Sequence, residues 1–174
     1  MDIISDLLKV LLPASLVLYA MYLTIKAFID KNTTDRQLDH KAEMSKTLLP
    51  LRLQAYERMT LFLERISPNN LLMRLGGQAQ NVLDFQQMLL SDIREEFSHN
   101  LAQQVYISTS TWEAIKRASQ ETSTLINLAA RELSQDAPAM ELSKRIFDIV
   151  VNQNVTPSDD ALKVLKQDFQ NLFL

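Results

Sequence analysis

No cysteine occurs in this chain of 174 residues, which excludes disulfides, thiolate metal sites and a cysteine nucleophile. Glycine and proline, the residues that punctuate strands and tight turns, number only two and five. That scarcity argues against a β-rich fold. The lone glycine pair, Gly76-Gly77, lacks the preceding strand and following lysine of a phosphate-cradling loop. Imidazoles are limited to His40 and His99, and no Ser-His-acid arrangement can be built on them. Asp92, Glu95 and His99 share one helix face at steps of three and four. A di-metal bundle would need further carboxylates and a second Glu-x-x-His pair from other helices, and the sequence does not provide one. An excess of positive charge is missing as well: the formal net charge is −3, which does not favour nucleic-acid binding. Arg52, Arg58, Arg65 and Arg74 alternate with Glu57 and Glu64, the pattern of a solvated, salt-bridged face. The expectation is a non-enzymatic chain with no catalytic residues, no cofactor, no metal and no small-molecule substrate.

What the chain does possess is one long apolar run. From Val10 to Ile25 no side chain is charged, and Lys9 and Lys26 bracket the run. A membrane-spanning helix needs about 20 mainly apolar residues and tolerates long cations near its ends, where they snorkel to the headgroups. Leu7 to Ile29 meets that requirement. Pro13 removes one backbone bond, which membrane helices accept more readily than soluble ones. A cleaved signal peptide fits less well. The leading residues Met1-Asp2-Ile3-Ile4-Ser5-Asp6 are acidic, and no small-x-small cleavage site follows the apolar core. Lysines and arginines are in excess after the span, at Lys31, Arg36, Lys41 and Lys46. The positive-inside rule then puts the N-terminus outside and the C-terminal body in the cytoplasm. The triplets Asn32-Thr33-Thr34 and Asn154-Val155-Thr156 would be glycosylation acceptors only in a secretory lumen.

Within the run, Ser15, Tyr19, Tyr22 and Lys26 are spaced by four, three and four residues and fall on one stripe of a helix. Tyrosine normally sits at the membrane interface, yet Tyr19 lies near the middle, where its hydroxyl needs a partner. In one reading the stripe faces another transmembrane helix, from a second copy or a different protein. In the other, Tyr19 bonds a carbonyl of its own helix and Tyr22 reaches toward the interface.

About 140 residues follow Asn32, the size of one ordinary domain. Strong helix formers dominate them, so the fold is expected to be all-α. The arrangement is one N-terminal transmembrane helix (1–31) followed by an elongated soluble helical bundle (32–174). Expected helices run from Asp35 to Ile66, Asn69 to Leu75, Gln78 to Tyr106, Thr111 to Ser134, Pro138 to Asn152 and Pro157 to Phe173. Ser67-Pro68 reads as a helix start and Gly76-Gly77 as a stop. Ser110 to Glu113 and Thr156 to Asp159 read as capping boxes, and Asp136-Ala137-Pro138 as another start. Pro50 is expected to kink or break the first helix. Helical apolar spacing joins Ala42, Leu49, Tyr56 and Leu63, then Val82, Phe85, Leu89, Ile93, Phe97, Leu101 and Val105, then Trp112, Ile115, Leu125, Leu128 and Leu133. The stretch from Leu48 to Leu63 is apolar on more than one face. Leu48, Leu51, Tyr56, Met59 and Phe62 therefore belong either to the bundle core or to a partner-facing surface.

The segment from Leu49 to Ile66, LPLRLQAYERMTLFLERI, followed by Pro68 and Asn69-Asn70-Leu71, resembles the signature of an uncharacterised family of small single-span proteins from Bacteroidota. The resemblance implies a bacterial inner-membrane setting and a helical body, and carries over no catalytic residues. Sequence and resemblance together lead to a membrane-anchored scaffold or adaptor. Its partners would be the lipid bilayer and either another membrane or membrane-associated protein or a second copy of itself. The alternative is an accessory subunit of a larger inner-membrane enzyme or transport complex. The greasy carboxyl end, Phe169 to Leu174, would dock on the bundle or serve as a partner-binding tail.

Overall fold

A computed structural model describes the backbone of residues 2–153 and 157–173, and side chains at 14–29, 43, 46–152 and 157–172. Several expectations rest on side chains outside that set: those of Lys9, Pro13, Lys31, Arg36, Lys41, Ala42, both glycosylation-type triplets, the Thr156 cap and the last two residues of the carboxyl end. Six α-helices carry the described chain: α1 Asp2–Ile66, α2 Pro68–Leu75, α3 Val82–Asn100, α4 Thr109–Arg131, α5 Ala139–Gln153 and α6 Pro157–Phe173, with a 3-10 segment at Leu101–Val105. No strand occurs among the described residues, and the fold is all-α. The chain divides into two compact units, Met1–Leu49 and Pro50–Leu174.

In the first unit every described side chain from 14 to 29 is exposed. Leu16, Val17, Leu18 and Phe28 each leave about two-thirds of their surface open. Among the described residues no helix is long and apolar enough to cross a membrane. Of the expected span, side chains 14–29 are the described part.

The second unit is built around a core drawn from every helix in it. Ala55, Tyr56, Met59, Phe62, Leu63 and Ile66 of α1 are buried, so spacing by three and four brings one face inward. Leu71 and Leu75 of α2, and Val82, Phe85, Leu89 and Ile93 of α3, join them. α4 packs most extensively on α6 and also against α3 and α5, and α5 in turn contacts α2 and α3. Phe97 stacks on Trp112 at 5.5 Å between ring centroids and also approaches Phe62 at 5.8 Å.

The structure differs from the expected helices at four places. Pro50 does not break α1, which is helical through it. The helix expected from Gln78 starts instead at Val82, because residues 80–83 pair with the segment before α5. Val82 N–H donates to the Ala137 carbonyl at 2.9 Å, and Ala139 N–H to that of Gln80 at 3.1 Å. Asn81 caps α3 by accepting the Asp84 N–H at 2.8 Å. At the far end of α3 the chain tightens into the 3-10 segment, whose three residues per turn break the α-helical rhythm. Leu101 and Val105, the last two residues of the expected apolar spacing, are exposed. α4 begins at Thr109 with Ser108 as its cap, not Ser110. Its polar middle is split: Ser119 and Thr122 are buried, Thr122 donating to the Ala118 carbonyl at 2.8 Å, while Gln120, Glu121 and Thr124 are exposed.

Candidate functional site

The expected stripe residues Ser15, Tyr19, Tyr22 and Lys26 are all exposed. Of the second group, Tyr56, Met59 and Phe62 lie in the core, with 4%, 0% and 1% of their surface exposed, whereas Leu48 and Leu51 keep 42% and 39% open. The apolar stretch therefore divides. Its N-terminal leucines face outward, and its C-terminal part is the spine of the second unit.

Tyr56 sits at the centre of a polar cluster that sequence reading did not find. Its hydroxyl donates to Asp168 Oδ2 at 2.7 Å, and its ring meets Phe169 edge-on with centroids 5.6 Å apart. Asp168 also accepts from the Ser108 hydroxyl at 2.8 Å, and Ser108 Oγ accepts the Thr111 N–H at 3.3 Å. One carboxylate thus joins α1, the start of α4 and α6. Burial opposes the Asp168 charge. The hydroxyls of Tyr56, Ser108 and Thr111, with the Ser108 N–H, outweigh that penalty and hold the carboxyl below its ordinary pKa. Burial first, then the bond to Asp168, pushes the Tyr56 phenol up. The Tyr56 phenol holds its proton and directs it into this cross-helix hydrogen bond. Tyr56 and Asp168 stand 112 positions apart, and no local pattern marks the pair.

Beside this cluster runs a groove of about 410 Å³ between α1 and α6, lined by Leu53, Glu57 and Thr60 on one wall and Leu165, Lys166 and Phe169 on the other. A second groove, about 450 Å³, opens where α2 ends and α5 begins, and Met73, Gly77, Phe85 and Met140 are among its walls. Met73 and Met140 are 77% and 64% exposed. Flexible, polarisable methionines at an open surface adapt to varied partners.

Two of the four arginines pair across helices rather than along α1, while Arg52 and Arg58 are exposed. Arg65 meets Glu96 of α3 at 2.6 Å, and Arg74 grips Asp92 with two bonds of 2.6 Å. Asp92 is thereby committed to a guanidinium rather than to Glu95 and His99. Among the described residues no group of three or more His, Asp or Glu side chains is placed to hold a metal ion. The features on offer are grooves and exposed apolar helix surface.

No curated protein and no solved structure matches the chain. A family model does, over residues 2–172, and the chain belongs to that family, a family of unknown function (DUF7935).

Proposed function

We propose that the chain is a membrane-anchored, non-enzymatic interaction protein, a scaffold or adaptor. Its N-terminal apolar run lies in a bacterial inner membrane and its helical body engages a protein partner in the cytoplasm. One observation carries this reading: the mostly apolar stretch 14–29 leaves every described side chain exposed. Exposed apolar surface on this scale is costly in water and costs nothing in lipid. The lysine and arginine excess after the run supports the orientation. Anchoring confines the body to a thin layer and raises its effective concentration near membrane partners. Alkaline carbonate extraction of native membranes tests the anchor. Full-length chain in the pellet is expected, and full-length chain in the wash overturns it.

The accessory-subunit reading draws on the methionine-lined groove between α2 and α5, a surface suited to a different chain. Purification in mild detergent separates the two. A stoichiometric assembly with other membrane proteins favours the subunit.

A further inference from the structure

We propose that the groove between α1 and α6 is where two copies of this chain meet, each laying its α1 over the partner's α6. The inference rests on reading the chain as an interaction protein and names a second copy as one partner.

The groove is flanked by apolar surface with one charge of each sign at its centre. On α1, Leu53, Glu57 and Leu61 follow at steps of four, a single slowly turning stripe. Leu53 and Leu61 are 41% and 56% exposed, and Glu57 is exposed between them. On α6, Leu172 lies seven residues beyond Leu165, and so on the same stripe as Leu165 and Phe169. It is 45% exposed, and Lys166 is exposed beside that line. Ion pairs in this unit engage other side chains, such as Arg65 with Glu96 and Lys163 with Asp160. Neither Glu57 nor Lys166 has an ion-pair partner among the described residues.

This arrangement is self-complementary. An isologous interface requires that if residue i meets residue j of the partner, then j meets i. A two-fold axis along the groove carries α1 of one copy onto α6 of the other. Tyr56 touches Asp168 and Phe169, so Glu57 and Lys166 stand at similar heights, within about one 5.4 Å turn. Their long side chains bridge that offset. The axis thus generates two Glu57–Lys166 pairs at once, flanked by the exposed leucines. A partner of uniform charge would leave one of the two groups opposed to its own sign.

Charge reversal tests this on the full-length chain in detergent, with mass read by light scattering across a dilution series. The wild-type chain is expected to dimerise. Glu57→Lys and Lys166→Glu each create two like-charge contacts per dimer, and each is expected to weaken association at least about tenfold, since like charges juxtaposed across an interface oppose association. The double reversal restores opposite pairing and is expected to return association to near the wild-type value. Both positions are exposed, and circular dichroism melts would verify that each variant is folded. A wild-type chain that stays monomeric, single reversals without effect, or a double reversal as weak as the singles each overturns the proposal. So does a different protein seated on the groove in crosslinks to position 57. A chain that dimerises but washes off membranes overturns the anchor alone, and a pelleted monomer overturns the dimer alone.

Discussion

Phe62 and Leu61 are neighbours with opposite fates, one buried at 1% exposure and the other 56% exposed. Truncating Phe62 to alanine removes a ring packed near Phe97 and leaves a cavity, so urea unfolding should show a loss of about 3–5 kcal/mol. Leu61→Ala should stay within about 0.5 kcal/mol in a chain held monomeric. The Asp168 cluster makes stability depend on pH in a defined direction. Asp168 binds its proton less tightly folded than unfolded. Its contribution is therefore whole above the ordinary carboxyl value of 3.8 and is lost as pH falls through its own lowered pKa. Tyr56 acts in reverse. Its pKa is raised, so its contribution is whole below the ordinary 10.0 and is lost as pH rises through the raised value. Asp168→Asn should lower the urea midpoint at pH 7 and flatten its fall below pH 4. An acid limb identical to wild type would show that other carboxylates govern it.

At the scale of elements, the ends of the helices carry more information than their lengths. Gly77 has φ of 80°, a conformation that costs other residues about 1–2 kcal/mol, so Gly77→Ala should lower the melting temperature. Gly76 has an ordinary φ of −58°, yet a Cβ there would stand 2.5 Å from the Leu72 carbonyl oxygen. Gly76→Ala should therefore destabilise through collision rather than dihedral strain, and the backbone after α2 would have to shift. Ser108→Ala removes the cap of α4 and one of the hydroxyls that hold Asp168. A lost cap alone costs about 1 kcal/mol. The change should exceed that value in urea unfolding and fall back toward it in an Asp168→Asn background. The helix stop at Gly76-Gly77 and the start at Ser67-Pro68 were legible because those residues favour such ends in any context. The start of α3 was not, because residues 80–83 are held by bonds to the segment before α5. Nothing in the flanking residues announces a pairing of that range.

For the whole molecule, the anchor reading makes a direct prediction. An arginine near the middle of a spanning helix costs about 2.5–3.5 kcal/mol on insertion scales. Leu16→Arg combined with Leu18→Arg should move the full-length chain from the carbonate pellet into the wash, and retention of the double variant would remove the support for a lipid-embedded run. By itself the sequence determined the all-α class, through its scarcity of glycine and proline and its helical apolar spacing. It also marked the apolar N-terminal run, and Met59, Phe62 and their neighbours as either core or contact surface. Local periodicity suffices for those because each depends on residues within two or three turns. The tertiary structure decided which apolar residues face inward and which charges pair across helices. It also placed Asp168 under Tyr56 and formed the groove that Glu57 and Lys166 share. These depend on groups far apart in the chain meeting in space, and burial and long-range hydrogen bonding arise only when the helices pack.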